Sequence, residues 1–152
     1  MAEQDQPDNV VELRARALRL LARREHTRTE LESKLSPHAG SSGELQGLIS
    51  GLQQKNQLSE ERFAEARARR LARKYGAARI RQDLKAKGVS EELVSRFCSS
   101  ADELQKAKEI LERKYREPAT TREEKAKRMR FLQSRGFSSE IIYSLLSARG
   151  AG

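Results

Sequence analysis

Apolar residues recur along this chain mostly at intervals of three and four, the spacing that gathers them on one side of a helix. Leu13, Ala17, Leu20 and Leu21 predict a first helix beginning between Asn9 and Glu12. Val10 lies in register to extend the stripe, and Arg14, Arg16, Arg19, Arg23 and Arg24 border it. The helix should stop before Thr27, because Thr27-Arg28-Thr29-Glu30 has the form of a capping box. In such a box the threonine oxygen accepts from the amide three residues on, and the glutamate returns the bond. Leu31 and Leu35 then face inward from a short second helix. Pro37, Gly40 and Gly43 break the pattern over residues 37–43. Leu45, Leu48, Ile49 and Leu52 predict a third helix over about residues 44–55. Gly47 and Gly51 lie along it, each costing about 1 kcal/mol relative to Ala, and would permit close packing.

Ser59 opens the next helix as an N-cap, with Leu58 and Phe63 at the spacing of a hydrophobic staple. That helix should run to about Lys74 and end at Tyr75-Gly76. Ile80 and Leu84 face inward from the following one, which Gly88 terminates, and Leu93, Val94 and Phe97 mark a short third. A second possible box, Ser100-Ala101-Asp102-Glu103, precedes Leu104, Ala107, Ile110, Leu111 and Tyr115. After Pro118 a helix from Thr121 carries Ala126, Met129 and Leu132 and ends at Gly136. The last carries Ile141, Ile142, Leu145 and Leu146. Aligning Gly88 with Gly136 superposes Leu84 on Leu132, Lys87 on Arg135, Val89 on Phe137, Ser90 on Ser138, Leu93 on Ile141, Val94 on Ile142 and Phe97 on Leu145, all at one offset of 48. Leu31 and Leu35 stand where Ile80 and Leu84 stand, so the first third repeats the pattern more loosely.

The predicted fold is all-α: an elongated, curved array of three tandem three-helix repeats, over residues 10–58, 59–99 and 100–149, after a disordered tail at 1–9. Such units bury only part of their apolar faces alone and must stack. Composition agrees, since 35% of the 152 residues are charged, only 36% are hydrophobic and tryptophan is absent. Thin cores shared between helices suit those numbers better than one large core. The competing reading is a globular nine-helix bundle.

The formal net charge of +9 points to a polyanion or an acidic protein surface as partner. It concentrates from Ser59 to Gly88, where ten cations (Arg62, Arg67, Arg69, Arg70, Arg73, Lys74, Arg79, Arg81, Lys85 and Lys87) face four acids. Cations so spaced can contact successive phosphates without reading sequence. Lys125, Lys127, Arg128 and Arg130 form a second basic run, equally readable as a solvated helix face. Tyr75, Tyr115 and Tyr143 are far apart in sequence and make a poor stacking platform.

Little supports catalysis. His26, His38 and Cys98 lack metal-site spacing, and Cys98 beside Phe97 reads as a buried structural thiol. Neither a phosphate loop nor a dinucleotide fingerprint is present, and no cofactor is expected. A single cysteine fits a reducing compartment. With no long apolar run and no secretory signal in the polar start, the expected location is the cytoplasm, away from membranes.

Three motifs in order resemble the bacterial RecX regulatory proteins. Arg24-Glu25-His26-Thr27-Arg28-Thr29-Glu30-Leu31 is similar to the R-E-x-(S/T)-x-x-E-L signature of the first repeat. Glu61-Arg62-Phe63-Ala64 resembles D-x-R-F-A, with Glu for Asp. Residues 76–89, from Gly76 through Arg79-Ile80, Asp83-Leu84 and Lys87-Gly88 to Val89, resemble G-x-x-(R/K)-I-x-x-(E/D)-L-x-x-K-G-(I/V). The helix after Phe63 is one residue shorter than the family pattern before Gly76. Arg67 stands where an aromatic is usual, and the 37–43 loop replaces a K-G turn. The resemblance implies a curved array of three three-helix repeats and a non-enzymatic modulator, usually an inhibitor, of the RecA recombinase. Such a protein lies in the groove of the RecA–single-stranded-DNA filament and limits ATP hydrolysis and strand exchange; several members also bind DNA. On this reading Thr27, Glu30, Leu31, Ser59, Phe63, Ile80, Leu84, Gly88 and Gly136 determine the fold. The basic residues contact the filament and the backbone of single- or double-stranded DNA, and the protein is expected to be monomeric. The alternatives are a stand-alone nonspecific DNA-binding protein and a helical-repeat adaptor for an acidic protein.

Overall fold

In a computed structural model, which describes residues 8–99 and 101–151, the chain forms nine α-helices and, among those residues, no strand. They are α1 (Val10–Arg23), α2 (Arg28–Leu35), α3 (Ser42–Gln54), α4 (Glu60–Leu71), α5 (Ala77–Ala86), α6 (Glu91–Phe97), α7 (Glu103–Lys114), α8 (Arg122–Ser134) and α9 (Ser139–Ala151). These are three tandem three-helix repeats. The chain is compact in two units, Met1–Ala66 and Arg67–Gly152.

In the first unit α1, α2 and α3 pack on one another around Leu13, Ala17, Leu31, Leu35, Ile49 and Leu52. Each helix starts on a side-chain cap: Asn9 for α1, Thr27 for α2 and Ser41 for α3 accept from the amide three residues on. Ser59 caps α4 in the same way, its Oγ accepting from the Arg62 amide at 3.1 Å. Leu58 and Phe63 are both buried, as staple spacing requires. Several expectations are corrected. The tail contributes its last two residues to the fold, since Asp8 pairs with Arg16 at 2.8 Å and donates its amide to the His38 carbonyl; the rest of the expected tail lies outside the described residues. Val10 and Val11 are exposed and do not extend the α1 stripe. Gly47 and Gly51 have no close neighbour where a Cβ would sit, so neither serves close packing.

The Thr27 box is half of the form expected. Thr27 Oγ1 takes the Glu30 amide at 3.0 Å, but the Glu30 carboxylate turns to Arg24, accepting from both of its terminal nitrogens at 3.0 and 2.7 Å. That hydrogen-bonded guanidinium holds the Glu30 carboxyl down at about 2, against an ordinary 4.5. A depressed carboxyl stabilises the fold fully above its ordinary value and loses that contribution as pH falls through the folded value. Stability of the first unit should therefore decline between about pH 4.5 and 2, and Glu30→Gln should flatten that part of a urea-midpoint-against-pH curve. An unchanged slope in the variant would remove Glu30 from this account. Arg28, which the sequence reading left unassigned, fastens α2 to α3 through Gln46, Ser50 and Gln53 while pairing with Glu32.

The second unit displays the offset of 48 in three dimensions. Leu84 and Leu132 are fully buried, Val89 and Phe137 are buried, and Val94 and Ile142 are buried. Ser90 and Ser138 each accept the amide three residues on. Gly88 and Gly136 both take the left-handed conformation, at φ +85° and +90°, and end their helices by the same return bonds: Val89 N–H to Leu84 O and Phe137 N–H to Leu132 O. Gly76 is the N-cap of α5, and its amide donates to the Arg135 carbonyl at 2.7 Å. The backbone at Gly76 thereby abuts the backbone at Gly136 closely enough that a Cβ on Gly76 would lie 2.7 Å from the Gly136 oxygen.

Glu103 departs from the box expected at the start of α7. Ser100 lies outside the described residues, and Asp102 gives α7 no side-chain cap. The Glu103 carboxylate is buried and caps α5 instead: Oε2 accepts the Ala77 amide at 3.0 Å, while Oε1 sits 2.8 Å from Lys106 Nζ, a contact of charges without hydrogen-bond geometry. Two predicted core positions face solvent, Leu104 on α7 and Met129 on α8. The face of α8 that packs inward carries Leu132 and, one turn earlier, Arg128.

Candidate functional site

The cations between Ser59 and Gly88 divide according to whether the fold consumes them. In the first unit Arg62 Nε donates to Glu25 at 2.9 Å. In the second, Arg67 on α4 makes a two-pronged pair with Asp83 on α5, at 2.5 and 3.0 Å, which lowers the Asp83 carboxyl below its ordinary value. Arg79 donates to the Ser134 carbonyl at the end of α8 at 2.8 Å and lies 4.5 Å over the Tyr75 ring. Arg81 donates to the Cys98 carbonyl at 3.2 Å. These four therefore fasten helices. Lys85 pairs with Glu91 at 3.2 Å, but both are well exposed, and such a pair holds the lysine weakly.

Arg70, Arg73, Lys74 and Lys87 are exposed, and among the described residues none has a salt-bridging carboxylate. Arg69 is exposed as well. Arg70 lies in the last turn of α4, and Arg73 and Lys74 follow in the turn just past its end at Leu71. Cations there also complement the carbonyl end of the helix dipole, which helps explain why the sequence folds with them unpaired. Below them an open groove of about 850 Å³ runs between the end of α4 and α7. It is lined by Arg69, Arg73, Lys106 and Arg113 on the positive side and by Asp102, Glu109 and Glu112 on the negative. Its charges nearly balance, so the electropositive feature is the group of cations at the end of α4, of which Arg73 also lines the groove.

The second basic run loses a member. Lys125, Lys127 and Arg130 are exposed, but Arg128 is only 6% exposed, with its guanidinium 4.5 Å over the Tyr115 ring. A ring face stabilises a cation withdrawn from water, and the aliphatic stem joins the core. Arg128 is thus a packing residue. Cys98 is buried, and burial pushes its thiol up, away from nucleophilic reactivity. His26 is buried as well and its basicity is lowered by that burial; one ring nitrogen meets the Arg24 carbonyl at 3.0 Å and the other Lys34 Nζ at 3.1 Å. Neither histidine nor the cysteine takes part in a metal-holding cluster among the described residues, and no helix there is long and apolar enough to cross a membrane.

The aromatic residues are what sequence reasoning missed. Tyr75 and Tyr115, 40 positions apart, are linked through the end of α8: Tyr75 meets Arg135, Arg135 meets Phe131, and Phe131 meets Tyr115. The signal available in the sequence was Phe131 four residues before Arg135, helical neighbours by spacing.

Comparison with known proteins agrees with the repeats. Residues 59–96 match the second three-helix domain of RecX, and residues 101–146 match the third. The regulatory protein RecX of Leptothrix cholodnii is 40% identical over 136 residues, covering 88% of this chain and 87% of that one. Its counterpart in Ralstonia nicotianae is 38% identical over 147 residues, covering 95% and 92%. Among solved structures, the crystal structure of RecX from Lactobacillus salivarius superposes with a TM-score of 0.77 at 20% identity, over 94% of this chain and 97% of that one. A second RecX crystal structure gives 0.73 at 21% identity, over 91% and 73%. The relatives are named as regulatory proteins and not as enzymes, and with such identity sustained over nearly the full length of both sequences, this chain belongs to the RecX family of regulatory proteins.

Proposed function

We propose that this protein is a non-enzymatic modulator, in the inhibitory sense, of the RecA recombinase, acting in the groove of the RecA–single-stranded-DNA filament to limit ATP hydrolysis and strand exchange in the cytoplasm. The observation that carries the reading is family membership along nearly the entire chain. The unpaired cations support it, because a filament of protein on DNA is a repeating acidic surface and exposed arginines and lysines steer association toward one. The contact row is Arg70, Arg73 and Lys74, with Arg69, Lys85 and Lys87 beside it. Arg62, Arg67, Arg79 and Arg81 are assigned to the fold first.

The test is RecA ATPase on single-stranded DNA with and without the protein. Wild type should suppress turnover, and the combined reversal Arg70→Glu, Arg73→Glu, Lys74→Glu should need at least about tenfold more protein for the same suppression. Its circular dichroism melt should fall only modestly, because no salt bridge is lost and anions at the carbonyl end of α4 cost about 0.3–1 kcal/mol each. Absence of suppression by wild type would sink the reading in favour of a stand-alone DNA-binding protein. Suppression that survives the reversal would move the contact elsewhere.

A further inference from the structure

The third repeat carries apolar surface that its own packing does not consume. Tyr143 on α9 is 71% exposed, and Met129 on α8 is exposed as well. With Lys125, Leu146 and Ser147 they line an open groove of about 430 Å³ between α8 and α9. The offset of 48 shows that the repeat does not require apolar residues there. Arg81 and Ser95 stand in the second repeat where Met129 and Tyr143 stand in the third, and both are exposed. A groove of this kind, apolar with a cation in its lining, leaves hydrophobic free energy that only a further surface can recover. Lys125 lies one turn before Met129, and the exposed Arg122 lies one turn before Lys125, so the approach along α8 is positive.

The first unit offers the complement. Val11, at the start of α1, is 76% exposed, and Val10 beside it is exposed too. Ala15 and Leu18, four and seven positions after Val11, continue that side of the helix and are half-buried. The charge around this edge is opposite to that of the chain. Residues 1–13 contain Glu3, Asp5, Asp8 and Glu12 and neither lysine nor arginine, whereas the whole chain carries +9. Arg16 takes Asp8. Glu12 is exposed and is bonded to the neutral Asn9 side chain at 2.9 Å, so its charge stays available.

We propose that the groove between α8 and α9 is occupied by a second copy of this chain, bound head to tail. Val10 and Val11 of one copy enter the groove of the next against Met129, Tyr143 and Leu146, and Glu12 meets Lys125. Charge selects this pairing over a symmetric one. Two grooves face to face would set Lys125 against Lys125 on two chains of like charge, whereas the valine edge brings the acid that the groove lacks. The chain also supplies that edge at the same concentration as the groove. Such a contact joins two different surfaces, so an edge and a groove stay open on every assembly that does not close into a ring. It replaces the expectation of a monomer, uses none of Arg70, Arg73 and Lys74, and holds whether or not RecA is the target.

The test is sedimentation velocity on the full-length protein, without nucleic acid, at near-physiological salt. Two valines against a groove of this size make a small interface, so association is weak and is read over about 10–1,000 μM. Wild type should rise with concentration from the monomer mass of 17.3 kDa. Val10→Ser with Val11→Ser removes the edge, and Tyr143→Glu places an acid in the groove. Each variant should lose at least about tenfold in self-affinity. Mixed, the two should form a pair and nothing larger, because the first keeps its groove and the second its edge. All three positions are exposed, so the melts should match wild type. If Tyr143→Glu melts early, Lys125→Glu, exposed in the same groove, takes its place. Three results overturn the proposal. Wild type that stays at monomer mass leaves the groove to a foreign segment. A serine variant that associates like wild type takes the valine edge out of the contact. A mixture that stays monomeric while both variants melt like wild type rules out the head-to-tail pairing. ATPase suppression by a monomeric wild type would remove this contact and leave the RecA reading; association without suppression would do the reverse.

Discussion

Replacing Gly136 by alanine should destabilise the second unit by about 3 kcal/mol or more, whereas Gly88→Ala should cost only about 1–2 kcal/mol. The two glycines occupy the same repeat position with nearly the same backbone, φ +90° and +85°. The left-handed conformation penalises any L side chain, so that part of the cost is shared. What differs is the neighbour. A Cβ on Gly136 would lie 2.5 Å from Arg79 Cβ and 2.8 Å from the Arg79 backbone nitrogen, while one on Gly88 would meet nothing within 4 Å. Backbone cannot swing aside as a side-chain end can, so α5 would have to move off α8, disturbing Gly76 and the Arg79–Ser134 bond. Urea unfolding followed by tyrosine emission isolates this, because all three tyrosines lie in the second unit. Two compact units need not unfold together, so a whole-chain signal would mix their transitions. Equal midpoints for the two variants would sink the packing argument and leave only the backbone penalty.

Glu103→Ala should cost about 2–3 kcal/mol, because it leaves the buried Ala77 amide without an acceptor and Lys106 without its partner. Glu103→Gln separates the two effects. A side-chain amide oxygen can still accept the Ala77 amide while the charge is gone, so its cost should be about 1 kcal/mol. The comparison standard is Glu109→Ala, at an exposed position on the same helix. If Glu103→Ala unfolds at the same urea concentration as Glu109→Ala, the link from α7 to the start of α5 contributes nothing. The link also holds the start of α5, which two residues on carries Arg79 with its contacts to Tyr75 and the Ser134 carbonyl.

Charge and helix position were legible for most residues, but the partners of individual cations were not. Sequence spacing singled out ten basic residues between Ser59 and Gly88 as equals. The fold separates them, because Glu25, Asp83, Ser134 and Cys98, each reached from at least 16 positions away, claim Arg62, Arg67, Arg79 and Arg81. Arg128 illustrates the same limit in the other direction. It stands in a run with Lys125, Lys127 and Arg130, so it reads as surface, yet Tyr115 supplies a ring face that makes burial of a cation tolerable. Met129 is expected inside from its spacing with Ala126 and Leu132, but the packed face is rotated by one residue onto Arg128 and Met129 faces solvent.

The sequence by itself determined the nine helices, most of their caps and the repeat, because those rest on interactions within about four residues: a hydroxyl to the third amide on, an apolar stripe at helical period, a glycine where the chain must turn left-handed. It also determined the family, through motifs that keep their order. The tertiary structure alone decided that Gly136 is a contact as well as a turn, that Glu103 caps a helix other than its own, which cations remain unpaired, and that Tyr75, Tyr115 and Phe131 join one series with Arg135. Each of these depends on which helix ends meet. Local spacing carries no information about that, because the choice is made by burying apolar faces from separate parts of the chain against one another.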